Sequence, residues 1–224
     1  MNIDPLAEKY NYQSPYNFSE NRVIDCRELE GLEAVKSTDG NCVDVTIRVK
    51  PINKTSVYPL NNQQISEATA NFVSQTNKSY SGKTANNQNV VVSVIIDENA
   101  TLTASFVDVP VSPNASEEAN INNATNAGMV LKSDFGNSQT GDMQISSLAN
   151  FEGPGRELGY TGTPGHTASH ELGHLLGLPD LAAKNNTERR DLEGRLMRDE
   201  STSSEREITK EERSKMLENI PEVK

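Results

Sequence analysis

The chain has 224 residues, 21 of them basic and 32 acidic, a net charge of -11. That length suffices for one sizeable core and leaves little for a second. The acidic balance, with no basic cluster to offset it, excludes nucleic acid and anionic membrane surfaces as partners. Cys26 and Cys42 lack a CxxC spacing, which excludes a disulfide framework and a cysteine-based zinc site. "MNIDPLAEKYNYQSPYNF" has neither a basic n-region nor an apolar run. No stretch approaches the roughly 18 apolar residues of a membrane span, so a chain made in the cytoplasm without a signal peptide is expected, with no membrane contact.

Residues 1–38 are rich in Asn, Tyr, Ser and Glu without sustained periodicity, which predicts an extended arm ahead of a domain over 39–224. The alternation of "VDVTIRV" at 43–49 predicts a strand, and Ile65, Ala68, Phe72 and Val73 in "NQQISEATANFVSQTN" recur at helical spacing. "VVVSVIID" at 90–97 then returns as a strand, and a strand, helix and strand in that order predict a parallel crossover. Further strands follow at "TASFVDVPV", 103–111, "MVLKSDF", 129–135, and "DMQISSL", 142–148. The polar, Asn-rich segment 112–128 reads as a long solvated loop, with calcium binding as the alternative. A helix opens at "TPGHTASHELGHLLGL", with Thr163 as N-cap, Pro164 in the first turn and Gly177 as its stop. Ile208, Met216, Leu217 and Ile220 mark the apolar stripe of a last helix over 204–220. The expected class is α/β (α+β), a mixed sheet with helices on its face.

"HELGHLLGLPD", His170 to Asp180, carries two of the chain's three histidines. Residues four apart share a helix face, so His170 and His174 converge on one point. Two imidazoles so placed suit one tetrahedral Zn2+ ion, which needs two more ligands. Glu171, beside the first histidine, is placed to act as general base for a metal-activated water and then to deliver the proton to a leaving amine. A break at Gly177 turns the chain sharply, so that Asp180 swings back as a third, oxygen ligand and the fourth position stays open. His166 lies one turn before His170; as a fourth ligand it would close the site, so a surface or substrate-proximal role is expected.

These residues resemble the metzincin clan of zinc metallopeptidases, whose HExxHxxGxxH pattern ends here in Asp180, as in snapalysin-like enzymes. The resemblance covers residues 40–220 and implies His170, His174 and Asp180 as ligands and Glu171 as catalytic base. It implies a Met-turn, for which "GRLMRDES" offers Met197, although Asp199 stands where many members have tyrosine. It also implies a zincin-like sheet, mostly parallel with one antiparallel edge strand ahead of the active-site helix. "MVLKSDF" would be that edge, able to accept an extended protein or peptide substrate as one more strand.

The arm, "IDPLAEKYNYQSPYNFSENRVIDCRELEGLEAV", resembles the end of the Rhs-repeat-associated core of bacterial polymorphic toxins. That implies a toxin tip exported by a specialised secretion system into a target cell or the extracellular space, with a cognate immunity protein in the producer. In that family a pair of aspartates releases the tip by self-cleavage. Asp4 and Asp25 fall at the family's spacing, while "DCRELEG" stands where the family has Asp-Pro-x-Gly. Cys26 beside Arg27 resembles the cysteine latch of metzincin zymogens, which implies Cys26 as an inhibitory zinc ligand. The expected function is a zinc-dependent endopeptidase. The alternatives are a catalytically degenerate zincin that captures a protein partner, and a zinc amidase acting on cell wall.

Overall fold

The computed structural model describes residues 32–113, 126–147, 164–180, 196–197 and 207–223. Asp4, Asp25, Cys26, Thr163 and most of the polar loop therefore lie outside the described residues. From Glu33 onward the chain forms one compact unit, Glu33–Lys224. Its elements in chain order are β1 (Ala34–Asp39), β2 (Cys42–Asn53), α1 (Asn62–Tyr80), β3 (Gly82–Lys83), β4 (Asn89–Ile96), β5 (Leu102–Val107), β6 (Gly128–Val130), β7 (Gly141–Ser146), α2 (Pro164–Leu175) and α3 (Lys210–Glu218).

The seven strands make one curled sheet in the order β3-β4-β2-β5-β7-β6, with β1 also paired to β2. β2 is long enough to serve two neighbours: Cys42 to Val49 pair in parallel with β4, and Lys50 to Asn53 with β5. β5 and β7 are parallel, and β6 is antiparallel to β7. The fold is thus mixed α/β with a mostly parallel sheet, as the class assigned from sequence requires, and the strand-helix-strand unit β2-α1-β4 does close in parallel. Alternation puts Val43, Val45, Ile47 and Val49 into the core, where β4, β5 and β7 add their own buried apolar residues. α2 packs on α1, β6 and β7. Its Leu172 and Leu175 are fully buried, each contributing roughly 1.5–3 kcal/mol relative to exposure.

Local chemistry explains where elements start. Asn61 caps α1 by accepting from the Gln64 N–H (2.9 Å), and the Gln64 side chain accepts from the Asn61 N–H (3.0 Å). The same box, Thr209 with Glu212, starts α3, so that helix begins later than the expected residue 204. Other boundaries also differ from expectation: the strand expected over 103–111 ends at Val107, and the one expected over 43–49 runs on to Asn53. β1 pairs along β2 from Ala34, so the sheet unit takes in residues assigned to the arm, whose limit was set at 38. "MVLKSDF" is strand only to Val130; residues 132–136 are turns.

The two outer edges of the sheet are treated differently. Beyond β3, the free N–H groups of Val92 and Val94 on β4 donate to Ser81 Oγ (2.9 Å) and Asn77 Oδ1 (2.8 Å), so side chains at and after the end of α1 close that edge. At the other edge β6 has β7 as its only strand partner among the described residues.

Buried Arg213 joins α3 to the end of α1. Its guanidinium donates to the carbonyls of Tyr80 (2.7 Å), Lys83 (2.7 Å), Ile208 (3.3 Å) and Ser79 (3.4 Å). Removing it strands buried carbonyls, so Arg213→Ala is expected to lower the unfolding free energy by about 3 kcal/mol or more in urea titration. Arg213→Lys should recover only part, because an ammonium lacks the planar fork. A parent-like midpoint for Arg213→Ala would contradict this.

Candidate metal centre

α2 carries His170, Glu171 and His174, and then ends abruptly. The Gly177 N–H donates to the His174 carbonyl (3.0 Å) and the Leu178 N–H to the Gly173 carbonyl (2.8 Å), with Gly177 at φ 84°. This is the Schellman arrangement, which needs a residue free to take positive φ. The chain then doubles back, and Asp180 Oδ1 arrives 3.1 Å from His170 Nε2 and 3.3 Å from His174 Nε2. The three ligand atoms lie within 4.8 Å of one another.

Both imidazoles are held from behind. His170 Nδ1 donates to the Leu196 carbonyl (2.9 Å), and His174 Nδ1 to the Leu178 carbonyl (2.9 Å). With each Nδ1 committed, each Nε2 is directed at the carboxylate, the orientation that ligating histidines need. Leu196 belongs to the turn that also holds Met197. Met197 is fully buried under α2: a Cβ on Gly173, between the two histidines, would overlap Met197 Sδ and the Tyr80 hydroxyl. Tyr80 donates to the Ser169 carbonyl (2.7 Å) and fixes the helix from α1.

The electrostatics draw positive charge to this point. Burial alone would lower the His170 pKa, but the hydrogen bond to Asp180 and the nearby Glu171 charge raise it to about 9. His174 moves upward against burial for the same two reasons. Hydrogen bonds from the two histidines hold the Asp180 carboxyl well below the usual carboxylate range. The two imidazole nitrogens and one carboxylate oxygen form a donor set of the kind zinc takes. With bonds of about 2.0–2.1 Å a tetrahedral zinc site has ligand-ligand edges near 3.3 Å, in line with the two histidine–aspartate separations.

Glu171 is buried beside the cluster. A Cβ added to Gly128 of β6 would stand 2.6 Å from Glu171 Oε1 and 2.6 Å from Thr167 Cγ2, so only glycine lets the edge strand come this close. His166 is not part of the cluster; its Nε2 bonds to Gln75 Oε1 of α1 (2.7 Å). Cys42 is free and exposed.

Three supporting groups escaped the sequence reading. Asn219, at the end of α3, donates from Nδ2 to the Leu176 carbonyl (3.0 Å) at the break in α2, and its own carbonyl accepts from Ser138 Oγ (2.6 Å). The Gly136 N–H donates to the His174 carbonyl (2.9 Å). The Phe135 ring lies 5.6 Å from the His174 ring, centroid to centroid. Each arrives through tertiary packing, and no local spacing announces it. No helix among the described residues is long and apolar enough to cross a membrane.

No family model matches the chain, and no curated protein matches it.

Because Asn219 braces the turn that aims Asp180, Asn219→Ala is expected to weaken zinc binding about tenfold, read by competition with a chromophoric chelator. The zinc-free variant should keep its far-ultraviolet circular dichroism. Parent-like affinity would contradict the bracing role.

Proposed function

We propose that the protein is a zinc-dependent endopeptidase in which His170, His174 and Asp180 hold one Zn2+ ion and Glu171 is the catalytic base. The observation that carries this reading is the convergence of both Nε2 atoms on Asp180 Oδ1 while both Nδ1 atoms are tied to backbone carbonyls. Zinc bound there supplies Lewis acidity toward a peptide carbonyl and the attacking water.

The chain's own groups do the rest. Glu171 takes the proton of the attacking water and hands it to the departing amine, work that suits a carboxylate shielded from bulk solvent beside the cluster. β6, whose only strand partner among the described residues is β7, is the edge to which an extended peptide would add, and Gly128 keeps that strand against Glu171. The Leu178 and Leu196 carbonyls keep the imidazoles from turning away. Met197 packs beneath the helix as the floor of the site.

The arm's resemblance to the Rhs core supports a toxin tip acting on target-cell proteins, with an immunity protein in the producer. Export by a specialised secretion system belongs to the same proposal.

The test is zinc stoichiometry together with casein hydrolysis. The parent should bind one zinc per chain and cleave casein, and Glu171→Ala should retain the zinc while losing activity by about 100-fold or more. A zinc-replete parent without hydrolysis, or an active Glu171→Ala, would contradict the reading. Gly128→Ala, which forces a Cβ onto Glu171, should lower kcat by about 100-fold with zinc content unchanged. An unaffected kcat would show that the edge strand does not set the base.

A further inference from the structure

We infer that Ser138 and Gln139 are positioning residues for the metal centre, tying the start of β1 to the turn that aims Asp180; this rests on the zinc reading above. Neither belongs to the cluster, and the proposed chemistry gives them no part. Ser138 is nonetheless only 4% exposed, and its hydroxyl is fully engaged. It donates to the Asn219 carbonyl (2.6 Å) and accepts from Gln139 Nε2 (3.1 Å). Gln139 Nε2 also donates to the Ala34 carbonyl (2.8 Å), and Gln139 Oε1 accepts from the Glu33 N–H (3.1 Å).

Both ends of this chain of bonds are fixed to larger elements. At the first, the buried Glu33 side chain accepts from the Thr101 N–H (2.8 Å), and the Glu33 carbonyl accepts from the Arg48 N–H of β2 (2.7 Å). The residues after α3 hold β1 as well: the Lys36 N–H donates to the Pro221 carbonyl (2.9 Å) and the Val223 N–H to the Lys36 carbonyl (2.8 Å). At the second, Asn219 Nδ2 donates to the Leu176 carbonyl (3.0 Å), and a Cβ on Gly177 would overlap that nitrogen. Hydrogen bonds thus run without a gap from the Glu33 N–H through Gln139, Ser138 and Asn219 to Leu176. The next two residues are the helix break and Leu178, whose carbonyl orients His174; Asp180 follows.

The direction of the bonds gives Ser138 its role. A hydroxyl that accepts on one side and donates on the other aligns both partners. Here it fixes the Asn219 carbonyl, and with it the backbone from which the Asn219 amide reaches the break in α2. The loop that carries Ser138 is itself braced, since Asn137 Oδ1 accepts from the N–H groups of Gln139 (3.2 Å) and Thr140 (3.1 Å). It also meets α2 directly, where the Gly136 N–H donates to the His174 carbonyl (2.9 Å). The rival account is that Ser138 and Gln139 only fasten this loop to β1, without influence on the centre.

The experiment measures zinc affinity of the full chain by competition with a chromophoric chelator. Ser138→Ala keeps both bonds between Gln139 and β1 but breaks the link to Asn219, so affinity should fall about threefold or more. The visible absorption of the Co2+-loaded chain, which follows ligand geometry, should change with it. Gln139→Ala should show a similar loss alone and no further loss in an Asn219→Ala background, because links in series fail together. Asn77→Ala, which removes a hydrogen bond at the closed β4 edge, should leave affinity and spectrum as in the parent. A parent-like affinity or Co2+ spectrum in Ser138→Ala, losses that multiply in the double variant, or an equal loss in Asn77→Ala would overturn the inference. A parent that binds no zinc would instead overturn the proposed centre, and this inference with it.

Discussion

The carbonyls of Leu178 and Leu196 each accept a proton from the Nδ1 of one histidine, and these two bonds decide which way both imidazoles face. An imidazole on a helix can swing about its side-chain torsions; one bonded through Nδ1 presents Nε2 in a fixed direction. The two carbonyls come from different parts of the chain. Leu178 follows the break at Gly177, so the turn that returns Asp180 also orients His174. Leu196 lies in the turn beneath α2, so the packing of Met197 against Gly173 and the aim of His170 are one constraint.

The sheet and the last helix serve that constraint. α2 packs onto β7 and β6 with Leu172 and Leu175 fully buried, and Tyr80 at the end of α1 donates to its Ser169 carbonyl. Arg213 holds the end of α1 to α3, whose C-cap, Asn219, braces the break in α2. A load path thus runs from α1 through α3 to the turn before Asp180, although α3 holds none of the three clustered residues. The two sheet edges differ. The β4 edge is closed by Ser81 and Asn77, while the β6 edge stands beside the buried Glu171.

The clustering of His170, His174 and Asp180 was legible in the sequence because its geometry is local. His170 and His174 share a helix face, and Gly177 announces the break that Asp180 needs. The strands of the core were legible where alternation is strong, as in β2. β1 was not, because in "AVKSTD" only the first residues are buried and no period of two emerges. The start of α3 was written in Thr209 and Glu212, a capping box overshadowed by the charged residues before it. Asn219, Gly128 and Phe135 were out of reach for a different reason. Each meets α2 through a tertiary approach, and nothing in the residues around it marks the contact.

The proposed centre is a single cation position shared by three side chains. Crystals of the zinc-loaded protein, with diffraction recorded on both sides of the zinc absorption edge, test it most directly. One anomalous peak is expected, about 2.0–2.1 Å from His170 Nε2, His174 Nε2 and an Asp180 carboxylate oxygen. A peak elsewhere, or Asp180 turned away from both imidazoles with zinc present, would contradict it.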